Sequence, residues 1–109
     1  MTIIQAFVAS LGRLAAPATE QIEYLTSLGV ADLVDELALE FDDLYRPIAR
    51  DLEKDSPETA AACRALDHML SSDQLGWTFA DLESADWEAI RATAAAAAAR
   101  LRDSAGGSP

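Results

Sequence analysis

The feature that most constrains this chain is the spacing of apolar residues across ADLVDELALEFDDLYRPIARDL, residues 31–52. Val30, Leu33, Val34, Leu37, Phe41, Leu44, Ile48 and Leu52 recur at steps of three and four. At ~100° per residue these positions form one stripe, so the segment is predicted to be a long helix laid on a core. Asp32, Asp35, Glu36, Glu40, Asp42 and Asp43 occupy its other faces, with no base among them. Leu39 falls out of register with the stripe and projects from the acidic side. Pro47 removes one backbone donor and crowds the preceding turn, so the helix is expected to kink near 43–46 or split there.

The flanking segments repeat the same period. Ile3, Ile4, Phe7, Val8, Leu11 and Leu14 predict a first helix over 2–15, and Pro17 forces a break by pushing Ala16 out of helical geometry. A second helix begins with Pro17 at an early position and buries Ile22, Leu25 and Leu28. Gly29 stops it in the left-handed position after a helix, with Val30 touching Leu25. The long third helix starts near Ala31 or Asp32. Residues 53–56 form a turn, Ser56 caps, and Pro57 opens a fourth helix with Ala62, Cys63, Leu66, Met69 and Leu70 inward, ending near Ser72.

DQLGWTFADLES, residues 73–84, is irregular but carries Trp77, Phe79 and Leu82 beside Trp87. It is expected to be an ordered loop pinned by aromatics, with Thr78 or Ser84 capping a helical turn. A last helix over 85–103 turns Trp87, Ile90, Ala94, Ala97 and Leu101 inward, and its alanine run permits close backbone approach. Arg100 and Arg102 complement its negative end. The expected fold is all-α: one domain of about five helices over 1–103, orthogonal or bundle-like, with a kinked third helix and a disordered tail at 104–109.

Charge and cysteine usage bound the function. Nineteen acids against eight bases give −11, and 10 of the acids lie from Asp32 to Glu58. Such a field repels phosphate backbones and anionic membranes, and favours a basic protein partner. The plain alternative is that the charge only keeps the protein soluble. Half the residues are hydrophobic, which sets the chain apart from a disordered acidic tail. Cys63 is alone, so no disulfide framework or cysteine zinc site is expected. No secretory n-region precedes the apolar residues 1–12, and no run approaches the ~20 apolar residues of a membrane span. A cytoplasmic location follows as the expectation. Seven Arg to one Lys, with abundant Ala, fits a high-GC bacterial source.

Enzyme chemistry finds little footing. His68 is the single histidine and lies nearly opposite Leu66, and its neighbour Asp67 does not face it on a helix. Gly-rich phosphate loops, nucleophile elbows and His-x-x-x-His pairs do not occur. Asp32, Glu36, Glu40 and Asp43 share one helix side, but carboxylates from one helix splay, and the Glu-x-x-His motifs of di-metal bundles are missing. No catalytic residue, metal or cofactor is therefore assigned.

YLTSLGVADLVDELALEFDDLYRPI, the aromatic turn and DWEAIRA together resemble small acidic uncharacterised all-helical proteins of high-GC actinobacteria. More loosely, residues 24–92 resemble the helical immunity proteins and antitoxins that inhibit a cognate toxin. That resemblance carries no diagnostic motif or functional residue, and implies neutralisation of a basic nuclease or toxin by an acidic face. The expected site is Asp32, Asp35, Glu36, Leu39, Glu40, Asp42 and Asp43, with the carboxylates steering encounter and Leu39 as the apolar anchor. Burial of Leu39 between helices is the competing expectation. The alternative function is a structural or regulatory subunit that homodimerises through the Ala-rich last helix.

Overall fold

A computed structural model of the protein describes residues 2–29 and 34–106. Six α-helices follow one another: α1 (Ile3–Ala15), α2 (Ala18–Ser27), α3 (Asp35–Tyr45), α4 (Ala49–Asp55), α5 (Pro57–Leu70) and α6 (Ala85–Gly106). One 3-10 turn, Ala80–Glu83, precedes α6, and there is no strand among the described residues. The protein is all-α. The expected start of the third helix, and the contact of Val30 with Leu25, fall at 30–33 and lie outside the described residues.

Two prolines and one glycine explain most of the boundaries. At Pro17, Ala16 turns to extended backbone (φ −68°, ψ 153°) and α2 begins one residue later. Gly29 adopts φ +73° after α2, the left-handed region that glycine enters without steric cost. Pro47 splits the long amphipathic segment instead of merely bending it. α3 ends at Tyr45, and Ile48 N–H reaches back to Tyr45 C=O at 3.1 Å before α4 starts, so six helices form where five were expected.

α6 is the central element. Its inward face of Trp87, Ile90, Ala94, Ala97, Ala98 and Leu101 is buried, and it packs against both α1 and α5. The alanines let those backbones approach. α1 in turn packs on α3, and α4 on α5. At the base of α6, Trp87 donates its indole N–H to Gly76 C=O at 2.9 Å, while Trp77 meets Trp87 edge to face at 5.8 Å. Gly76 is required there, because a Cβ would fall 2.3 Å from the Asp81 carboxylate. That carboxylate accepts from the Thr78 N–H (3.0 Å) and hydroxyl (2.8 Å), which hold its pKa below the ordinary value. Ser84 Oγ accepts from Trp87 N–H at 3.3 Å and caps α6. The aromatic connection is thus the ordered loop that its composition indicates.

Several expectations are corrected. Leu28, expected on the buried side of the second helix, is exposed at the end of α2, and Ile3 and Ile4 of the α1 stripe are exposed at its first turn. Those positions sit at helix ends, where the stripe overruns the packed surface. Gln21 is buried in α2 beside Leu25, because its amide donates to the carbonyls of Arg13 (3.0 Å) and Leu14 (3.1 Å) at the end of α1. Arg91 of α6 donates to Leu82 C=O at 2.7 Å and to Gln21 Oε1 at 3.4 Å, so one polar chain ties α1, α2 and α6. Residues 53–55 belong to α4. Ser56 stands before Pro57 without a side-chain cap bond. Tyr45, not Leu44, is buried at the end of α3, and α6 continues to Gly106.

Among the described residues, one buried side-chain polar atom lacks a partner: Ser10 Oγ, on the core face of α1 beside Leu11 and Leu14. A buried hydroxyl without a hydrogen bond costs ~1–3 kcal/mol. Ser10→Ala removes that cost and adds helix propensity, so thermal unfolding is expected to move up by several degrees. A lowered melting temperature would show that the hydroxyl is satisfied.

Candidate functional site

The acidic side of α3 divides into an internal and an external part. Glu40 is turned toward α1 and α2. Arg13 Nε donates to its Oε1 at 2.6 Å and the Tyr24 hydroxyl to its Oε2 at 3.0 Å, while the Arg13 guanidinium lies 4.9 Å over the Tyr24 ring. Burial works against the Arg13 charge, but the bond to Glu40 and its negative charge outweigh it and raise the guanidinium pKa. Burial also raises the Tyr24 pKa, reinforced by the hydroxyl's bond to Glu40. Glu40 therefore positions α3 against its neighbours.

Asp42 is likewise engaged. Arg46 donates to Asp42 Oδ1 and to Asp67 Oδ1, both at 2.7 Å, and so clips α3 to α5. The pair Asp42–Arg46 follows from their spacing in sequence. Asp67 is a long-range partner that no local pattern could indicate.

Outside remain Asp35, Asp43 and Leu39, with Glu36 partly exposed. Leu39 keeps 50 % of its surface, against 1 % for Leu37 two positions before it. The exposed alternative is the one the structure shows. Beside Leu39 lies a shallow hollow of about 170 Å³, floored by Ala38, Phe41 and Leu70 and edged by Asp42, Asp67 and Ser71. Sequence reasoning missed the α5 contribution of Asp67, Leu70 and Ser71, since it depends on helix packing. Asp32 lies outside the described residues.

The other candidates separate cleanly. His68 is exposed on α5, and Asp67 beside it is committed to Arg46. Cys63 is fully buried, and burial pushes its thiol up to about 11, which keeps it in the weakly nucleophilic protonated form at neutral pH. Among the described residues, no group of three His, Cys, Asp or Glu is placed to hold a metal ion. None of the described helices is long and apolar enough to cross a membrane. The inward alanines of α6 are used within the core, while Ala92, Ala95, Ala96 and Ala99 face outward. Two further ion pairs, Arg64–Glu53 and Arg100–Glu58, are exposed and contribute little.

No family model matches the chain, and neither a curated protein nor a solved structure does. The resemblance to small acidic helical proteins accordingly names no specific family.

Tyr24 and Tyr45 are the protein's two tyrosines, and burial is the first cause that raises each pKa, joined for Tyr45 by the charges of Cys63, Asp67 and Glu53. Near-ultraviolet titration is expected to place both phenol midpoints above the unperturbed ~10. A group whose folded pKa is raised stabilises the fold below its unfolded pKa and loses that contribution as pH climbs through the folded one. Unfolding should therefore set in on the alkaline side, and midpoints at or below 10 would contradict the Tyr24–Glu40 bond.

Proposed function

We propose that this protein is a non-catalytic binding module, an acidic inhibitor of the immunity type that neutralises a basic protein such as a toxin or nuclease. The observation that carries the reading is the half-exposed Leu39, set on α3 among carboxylates and beside a shallow hollow of mixed polar and apolar lining. A solitary exposed leucine needs no explanation. An exposed leucine with a hollow at its side and a charged surround has the composition of an interface, where an apolar centre sits inside a charged rim.

The division of the acidic side supports distinct roles. Asp35, Glu36 and Asp43 make no side-chain ion pair within the described fold, so their field is open to an incoming partner. Those charges speed encounter with a basic surface, chiefly through the association rate. Leu39, once desolvated against the partner, slows dissociation. Glu40 and Asp42 hold α3 in the orientation that presents them. The second reading, a homodimer through α6, rests on the outward alanines alone. Sedimentation at increasing protein concentration separates the two, because a monomer removes the homodimer.

Capture from a lysate of the source cells is expected to recover a basic protein with the natural chain and to lose it with Leu39→Asp. Truncating such an anchor weakens binding by ~2 kcal/mol or more, roughly thirtyfold in Kd. Combining Glu36→Gln with Asp43→Asn should slow association at low salt, and added salt should erase the difference. Equal capture by Leu39→Asp, or an unchanged association rate at low salt, would remove this face from the function.

A further inference from the structure

The beginning of α5 and the end of α6 share one hollow of about 470 Å³, lined by Ser56, Pro57, Glu58, Thr59, Arg100 and Asp103. That size falls within the ~300–1,000 Å³ of small-molecule sites. Its α5 wall holds unused donors. The first N–H groups of a helix have no intrahelical partner, and Pro57 brings none. Ser56 makes no side-chain cap bond, so the Glu58 and Thr59 N–H groups have no acceptor among the described residues. Ala60 is the first to bond back, to Ser56 C=O at 2.9 Å.

Thr59 distinguishes this hollow from an ordinary helix end. It is only 3 % exposed, yet its hydroxyl makes no hydrogen bond among the described residues. Ser10 Oγ is the one side-chain atom there that is both unpartnered and sealed from solvent. The Thr59 hydroxyl therefore keeps an opening, and Thr59 opens on this hollow. A nearly buried hydroxyl without a partner is costly, and an acceptor bound in the hollow relieves that cost.

Charge narrows the ligand. Arg100 pairs with Glu58 at 2.6 Å, but both are exposed, so the pair is weak and opens easily. Asp103, one turn beyond Arg100, makes no ion pair among the described residues. An anion alone gains from the positive end of α5 and from Arg100 but is repelled by two carboxylates. A cation alone gains from the carboxylates but meets the helix end and Arg100. A molecule that carries both charges satisfies both sides.

We propose that this hollow binds a small zwitterion of the α-amino acid class. Its carboxylate accepts from the Glu58 and Thr59 N–H groups and from the Thr59 hydroxyl, beside Arg100, and its ammonium donates to Asp103. The site is independent of the Leu39 surface, which lies toward the other end of α5, ~15 Å along the helix axis.

The test titrates the full-length, nitrogen-labelled protein at low ionic strength with L-alanine and its two halves. L-Alanine should shift the amide resonances of Glu58 and Thr59 saturably. Propionate lacks the ammonium and ethylammonium lacks the carboxylate, so each should bind at least roughly tenfold more weakly, the loss of one charge-assisted hydrogen bond. Thr59→Val keeps the side-chain shape without the hydroxyl, and Asp103→Asn keeps it without the charge. Each should weaken L-alanine about fivefold or more while the helical circular dichroism spectrum is unchanged. Equal binding by either half, or an unchanged affinity in Asp103→Asn, would overturn the zwitterion. Absence of shifts at Glu58 and Thr59, or an unchanged affinity in Thr59→Val, would overturn the site itself.

Discussion

The rotation of α3 about its own axis is set by three aromatic rings, and the exposed surface depends on it. Phe7 of α1 lies 5.7 Å from Phe41 and 6.1 Å from Tyr45, and Phe41 stacks on Tyr45 at 5.1 Å. Offset aromatic pairs of this kind contribute ~0.5–1.5 kcal/mol beyond the apolar area they bury. With Phe41 and Tyr45 turned to α1, Val34 and Leu37 fall on the same buried side, and Leu39 is carried outward. The Arg13–Glu40–Tyr24 cluster locks one flank of α3, and the Asp42–Arg46–Asp67 clip the other. Exposed ion pairs are individually weak, so their consequence is orientation more than stability.

This arrangement also explains which parts of the fold were legible in the residues. The inward face of α6 follows from Trp87, Ile90, Ala94, Ala97 and Leu101 because a long helix packed on two neighbours keeps a strict period. Pro17, Gly29, Pro47 and Pro57 mark boundaries through local chemistry that tertiary packing does not override. Leu44 and Tyr45 were harder to separate. Both lie at the margin of the stripe, and the choice between them is made by Phe7, a residue almost forty positions away. Leu28 was misplaced for a related reason: periodicity identifies a helix face, but not how far the neighbouring helices cover it. Gln21 was invisible as a core residue because its partners are backbone carbonyls at the end of another helix.

For the site, the acidic stretch and the anomaly of Leu39 were visible locally, while their division of labour was not. Glu40 and Asp43 look alike in sequence, yet Glu40 carries an internal ion pair with Arg13 and Asp43 remains exposed. The α5 side of the hollow, Asp67 and Leu70, enters only through packing. What results is an exposed surface around Leu39 whose orientation is held by the ion pairs of Glu40 and Asp42.

The central claim is that the fold does not need Leu39, so that its side chain is free for binding. Equilibrium denaturation of Leu37→Ala and Leu39→Ala tests this directly, because the two leucines sit on one helix and differ in burial alone, at 1 % and 50 % exposed. Leu37→Ala should lose ~2–5 kcal/mol through the cavity it leaves, whereas Leu39→Ala should stay within ~0.5 kcal/mol of the natural chain. Equal losses at the two positions would place Leu39 in the core and contradict the account.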